Sequence, residues 1–285
     1  MQAISDEIYF ENSIPGVTLG AIILPGGTLL IDTPLRAEDA RSWKSTILTQ
    51  SRGTHRLLVN MDDHFDRTIG NRFMGLPVLS HKNIISTYEN RSTVFKGQNE
   101  KTGAVWEKYP EVIGSRWSPP NITFSDQIQI QWSDTQIEIM HHPGPTSSSI
   151  WVEIPSQKII FVGDSVVNNQ PPFLAHANLA EWIDSLSVLR SPKYRDYRFI
   201  SGRSGPVSIE VVRTQHEFLK SILGRLETLA SKTSDPAETE KMIPALLSKI
   251  EYHPNQQDFY TQRFRYGLYE YFNNHYCPKE LDTGM

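Results

Sequence analysis

Short apolar runs, alternating or unbroken, fill the first two thirds of this chain, and longer runs at helical spacing close it. Ile8 to Phe10, Val17 to Leu24 and Thr28 to Asp32 predict three strands, with Pro25, Gly26 and Gly27 as a tight connection. Ala40, Trp43 and Ile47 recur at helical spacing and predict a helix over Ala37 to Gln50. Arg56 to Asn60 reads as a buried strand, Arg67 to Met74 as the helix after it, and Leu76 to Leu79 as a further short strand. Residues 82–118 are rich in polar side chains and read as helical and solvent-facing.

A second block of strands follows: Ile122 to Phe124, Ile128 to Trp132, Gln136 to Met140, Ile150 to Ile154 and Lys158 to Val162. The alternation of Ile128, Ile130 and Trp132 with glutamines gives that strand one covered face. Pro155 to Gln157 turns the last two strands into a hairpin. Ala180 to Leu189 predicts a helix and Tyr197 to Ile200 a final strand. After Gly205 the pattern becomes helical, over Ile209 to Leu229, Ala237 to Ile250 and Asp258 to Tyr276. Asp235 is the candidate cap of the middle one, with Pro236 in its first turn. The aromatic stripe from Phe259 to Tyr276 reads as packing. Two strand blocks with helices between them imply two sheets packed face to face with helices outside.

Composition narrows the picture by exclusion. A net charge of -4 gives no basic patch of the kind that binds nucleic acid. Cys277 is the single cysteine, so no internal disulfide forms, and the usage suits a reducing compartment. The first residues lack a basic region followed by an apolar run, and no segment reaches the roughly 18 apolar residues of a membrane span. A cytoplasmic protein without a membrane partner is the expectation.

Chemistry concentrates at Asn60 to Asn71, NMDDHFDRTIGN, where a strand hands over to a helix. The spacing of Asp62, His64, Asp66 and Arg67 resembles the His-x-His-x-Asp-His turn of the metallo-β-lactamase superfamily, with Asp62 and Arg67 in place of its first and last histidines. Other segments follow in the superfamily's order. Leu30 to Thr33 is similar to its early strand ending in Asp-Thr, and His142 to Thr146 to its Pro-Gly-His-Thr turn. Ile160 to Asp164 is similar to its strand ending in Gly-Asp, and Ser201 to Arg203 to its late Gly-His turn. The resemblance covers residues 7–207. It implies an α/β, four-layer αβ/βα sandwich over residues 1–205, with a helical C-terminal extension over 206–285 packing on or near the cleft.

The resemblance also implies a ligand set, and this chain has kept part of it. The first ion would meet Asp62, His64 and Pro145, with Asp164 as the bridging carboxylate. The second would meet Asp66, Arg67 and Arg203. A guanidinium has donors only and cannot ligate a cation, so the second position is expected to be empty. Two readings stay open. In one, Asp62, His64 and Asp164 hold a single divalent ion, zinc, manganese or iron. That ion serves hydrolysis of a small ester, lactone, thioester or similar substrate, with Asp66 orienting water and Arg67, Arg203 and His142 binding substrate. In the other, the chain is a metal-free, non-catalytic descendant whose arginine-lined cleft binds a small anionic ligand or partner. The expected partners are a small, anionic molecule and a second copy of the chain as a homo-oligomer, with the helical tail either closing over the cleft or packing against a second subunit.

Overall fold

The computed structural model describes residues 1–51, 53–97 and 100–277. The last eight positions of the helical extension expected over 206–285 therefore lie outside the described residues. The first sheet contains β1 (Gln2–Ala3), β2 (Ile8–Glu11), β3 (Leu19–Leu24), β4 (Gly27–Ile31), β5 (Arg56–Val59), β6 (Val78–His81) and β7 (Ile122–Phe124), in that spatial order. Strands β1 to β4 pair antiparallel and β4 to β7 parallel. The second sheet has the order β13-β12-β11-β10-β9-β8. Its strands are β8 (Gln127–Trp132), β9 (Thr135–His141), β10 (Ile150–Ile154), β11 (Ile159–Gly163), β12 (Arg198–Ser201) and β13 (Gly205–Val207). Only β11 and β12 pair in parallel there.

The two sheets bury a common apolar layer. Ile8, Ile22, Leu29 and Val59 of the first meet Ile139, Val152, Phe161 and Ile200 of the second. Helices cover both outer faces. On the first sheet, α1 (Ala37–Gln50) buries Ala40, Trp43 and Ile47, the stripe read from the sequence, against Leu19, Ala21 and Leu58. Each fully buried apolar side chain of this size contributes about 1.5–3 kcal/mol. Two short helices, α2 (Phe65–Thr68) and α3 (Asn71–Met74), follow β5, and α4 (Ile84–Glu89) follows β6.

On the second sheet, α5 (Leu179–Leu189), α6 (Ile209–Ala230), α7 (Ile243–Leu247) and α8 (Gln257–Tyr276) share one apolar cluster with Trp151, Ile160 and Phe199. The architecture is thus a four-layer αβ/βα sandwich with C-terminal helices. The helices beyond residue 206 pack on this sheet and on α5.

Three local readings need correction. Arg67 to Met74 belongs to two short helices, Phe65–Thr68 and Asn71–Met74, and between them Gly70 packs so close to the Pro34 carbonyl that a Cβ would collide with it. The described residues of 82–118 are mostly loop beyond α4, with two single-turn 3-10 helices at Val105–Lys108 and Pro110–Val112. Gly97, Gly103 and Gly114 take positive φ there, which interrupts any helix. The segment is also partly internal: Phe95, Trp106 and Val112 are buried with Leu35 and Ile69. Ala237 to Ile250 forms a 3-10 turn over Pro236–Met242 and then the short α7, since Pro244 offers no N–H within the run. Asp235 does cap its start, accepting from the Ala237 N–H at 2.9 Å.

Candidate functional site

Strand ends from both sheets converge on Arg67. At the end of β4, Asp32 takes a left-handed conformation with φ 59, rare for a residue with a side chain. Its Oδ1 accepts from the Met61 N–H at 2.9 Å, which turns Oδ2 toward α2. The carbonyl of Arg67 is held by Thr33 Oγ1 at 2.7 Å and by Asn60 Nδ2 at 3.0 Å. With its backbone fixed, the fully buried guanidinium donates through one terminal nitrogen to Asp32 and through the other to Asp164, just beyond β11. Its Nε lies 3.2 Å from Asp62 Oδ1 without hydrogen-bond alignment. Space for the guanidinium requires a glycine at 202, where a Cβ would overlap Arg67 Nη2.

A second guanidinium closes the other side. Arg203 Nε donates to Asp164 Oδ2 at 2.8 Å, and its terminal nitrogens donate to Asp66 Oδ2 at 2.5 Å and Oδ1 at 3.1 Å. Its Nη1 also reaches the Gly16 carbonyl at 2.7 Å. Both oxygens of Asp164 therefore accept from arginine, one from each. His64 Nδ1 lies 3.0 Å from Asp62 Oδ1 and 3.4 Å from Asp164 Oδ2.

Electrostatics follows from this pairing. Burial works against ionisation of Asp164 and Asp66, but Arg203 overcomes it and holds both below the usual carboxylate range, aided at Asp164 by Arg67. Burial likewise opposes charge on His64, yet Asp62 and Asp164 raise its pKa above that of a free imidazole. Asp32 is pushed up to about 7 by burial, against the pull of Arg67, so it is the carboxyl readiest to carry a proton.

The two expected ion positions differ in donor chemistry. At the first, Asp62 Oδ2 and His64 Nδ1 are buried without a hydrogen-bond partner among the described residues, and Asp62, His64 and Asp164 each offer one ligand atom, all within 4.8 Å of one another. Two carboxylates and an imidazole suit one divalent cation. At the second, Asp66 is already bonded to Arg203, and the remaining positions are Arg67 and Arg203 themselves. That set does not fit an ion.

A cavity of about 360 Å³ opens beside the cluster, lined by His64, Asp66 and Arg203 from it and by Phe65, Trp106, Phe173 and Tyr266 among others. Not every residue singled out in the sequence faces it. Arg67 is sealed behind Asp32, Asp62 and Asp164, so its expected contact with substrate is replaced by an internal salt bridge. His142 is likewise off the cavity: its ring stacks on Trp151 with centroids 3.6 Å apart, and burial with His141 pushes its pKa down to about 4.

Sequence reasoning passed over Asp32 as a partner of Arg67, although its Asp-Thr signature was in view. It also passed over Arg91, His176 and Arg263, which all line the cavity. No spacing marks those three.

Comparison with known proteins bears on the fold. The family model of the metallo-β-lactamase superfamily matches residues 73–199, a span that includes Asp164 but not the 60–71 loop or Arg203. Among solved structures, a metallo-β-lactamase from Pontibacter korlensis is 19% identical with a TM-score of 0.57, covering 77% of this chain and 97% of its own. A metallo-β-lactamase family protein from Thermus thermophilus is 17% identical with a TM-score of 0.62, covering 95% of this chain and 93% of its own. The stereoselective inverting sec-alkylsulfatase from Pseudomonas sp. is 16% identical with a TM-score of 0.67, covering 96% of this chain and 49% of its own. At such identities these likenesses speak for the fold alone. No curated protein sequence matches this chain. Among the described residues no helix is long and apolar enough to cross a membrane.

Proposed function

Because this chain belongs to the metallo-β-lactamase superfamily, broadly a family of hydrolases that typically bind divalent metals, we propose that it has exchanged the dinuclear centre for a guanidinium cluster. The cleft then receives a small anionic molecule without a second ion. The observation that carries this reading is Asp164. The superfamily's bridging carboxylate here gives one oxygen to Arg67 and the other to Arg203. Charge-assisted pairing of this kind supplies locally the positive charge that an ion would otherwise supply.

One observation favours a second reading, a mononuclear hydrolase. Asp62 Oδ2 is buried without a hydrogen-bond partner, and His64 Nδ1 lies beside Asp62 and Asp164 without hydrogen-bond alignment, as donors awaiting a cation would be. Asp62, His64 and Asp164 would hold that ion, which would polarise a substrate carbonyl or activate water. The chain's own part would be played by Asp66, fixed by Arg203 at the cavity wall, which would orient that water.

Melting curves separate the readings. The metal-free reading predicts one melting temperature for protein in plain buffer, in excess chelator and in excess zinc or manganese. The mononuclear reading predicts a rise with metal that Asp62→Asn removes.

A further inference from the structure

We propose that the ligand of this cavity is an amphipathic monoanion, a carboxylate on an apolar body, and that Arg263 of α8 is its anchor. The inference rests on the anion-binding function proposed above and names the ligand class and the residue that reads it.

Arg263 differs from the other buried arginines in its partners. Arg67 and Arg203 each bond two or more carboxylates, whereas Arg263 donates only to neutral acceptors. Its Nε bonds the Gly103 carbonyl at 2.8 Å, and its Nη1 bonds Gln170 Oε1 at 3.0 Å and the Pro171 carbonyl at 3.1 Å. Among the described residues Nη2 has no hydrogen-bond partner and no carboxylate lies in salt-bridge range. Yet the side chain is only 2% exposed. A buried charge without a counter-ion is costly, and proteins rarely keep one outside a binding site. Burial together with the nearby Arg203 lowers the Arg263 pKa to about 10, so the group still carries its charge at neutral pH.

The surroundings fix the geometry of recognition. The Phe173 ring centroid lies 4.2 Å from the guanidinium carbon and that of Tyr260 5.3 Å, and with Nε and Nη1 already bonded, Nη2 is the nitrogen left to donate. An N–H of Nη2 can donate a charge-assisted hydrogen bond to a carboxylate oxygen. A second arginine lining the cavity, Arg91, also has no carboxylate in salt-bridge range among the described residues. Its Nη2 bonds the Asp63 carbonyl at 2.6 Å, while its Nη1 is buried and unbonded.

The carboxylates lining the cavity are already engaged. Asp66 is held by Arg203, and Asp63 accepts from Thr87 Oγ1 at 2.5 Å and Ser148 Oγ at 3.0 Å. Positive charge is therefore left over at the cavity, while Phe65, Ala104, Trp106 and Leu174 make the rest of its wall apolar. A volume of about 360 Å³ falls within the range of small-molecule sites.

The test uses octanoate and 1-octanol as a matched pair, read by thermal shift and by titration calorimetry on the full chain in excess chelator. Octanoate is expected to raise the melting temperature of the wild type, and 1-octanol to leave it unchanged. Arg263→Gln is expected to weaken octanoate by about tenfold or more, the worth of a charge-assisted bond. Equal shifts from both compounds, or none from either, overturn the ligand class on wild-type protein alone, whatever the variant's folding. An octanoate affinity unchanged in Arg263→Gln overturns the anchor and leaves the metal-independent anion site standing. Octanoate binding that appears only when zinc replaces the chelator overturns both.

Discussion

Arg67, on a helix that follows the first sheet, donates to Asp164, at the end of a strand of the second. One fully buried side chain thus ties the two halves of the sandwich at the point where the resemblance implies a bridging carboxylate. Its partners Asp32 and Asp62 come from the first half, so the guanidinium sits where the strand ends of both sheets meet.

Removing that guanidinium strands buried carboxylates. Arg67→Ala is expected to lose about 3–5 kcal/mol in chemical denaturation, the cost of breaking a buried ion pair from one side. Arg67→Lys should recover only part of this, because an ammonium cannot serve Asp32 and Asp164 through a planar fork. A loss within error of zero in Arg67→Ala would show that the pairing is incidental.

Gly202 is required by shape. A methyl group at that position would overlap Arg67 Nη2, so Gly202→Ala must displace the guanidinium or the turn. The expected cost is about 1–3 kcal/mol, typical of overpacking a buried site. In the background of Arg67→Ala the same substitution should cost much less, which a double-mutant cycle will read.

Acid should weaken the fold through His142. Its folded pKa is about 4, below the 6.5 of a free imidazole, because it is buried on Trp151 beside His141. The unfolded chain takes up this proton between those two values and the folded chain does not. The contribution is therefore constant above the unfolded pKa, and stability is lost as pH falls from 6.5 toward 4. Asp66 and Asp164 add losses of the same sign at lower pH, since their folded pKa values are depressed. His142→Phe keeps a ring on Trp151 and should flatten the upper part of the profile relative to wild type. Parallel profiles for the two proteins would rule out His142 as the titrating group.

The histidines that the resemblance implies can be supplied. Replacing Asp62, Arg67, Pro145 and Arg203 together by histidine should leave a weakened apo fold that zinc restores, seen as zinc binding by calorimetry and a zinc-dependent rise in melting temperature. Zinc affinity no better than wild type would mean that the backbone of the strand ends has also moved.

The legibility of the chain tracks the regularity of its burial. β8 was readable because Ile128, Ile130 and Trp132 face the other sheet while Gln127, Gln129 and Gln131 face solvent. Residues 82–118 were not, because they are buried by single anchors at irregular spacing, Phe95, Trp106 and Val112, on a glycine-broken loop. Within the site, Asp62, His64, Asp66, Arg67, Asp164 and Arg203 stand in motifs, and the structure gathers all six. Arg263 stands in none. It reaches Gly103 from 160 residues away along the chain, and it lies among Phe259, Tyr260 and Phe264, whose aromatic signal masks a charged neighbour. His142 carried the superfamily's turn in sequence, but its ring found Trp151 instead of the cavity.

The claim that guanidiniums stand in for the second ion is tested most directly by the metal content of protein purified without chelator and soaked in zinc or manganese. The prediction is no more than one equivalent per chain, since only the Asp62, His64 and Asp164 set offers donors to a cation while a guanidinium offers none. More than one equivalent per chain, lost on Asp164→Asn, would contradict it.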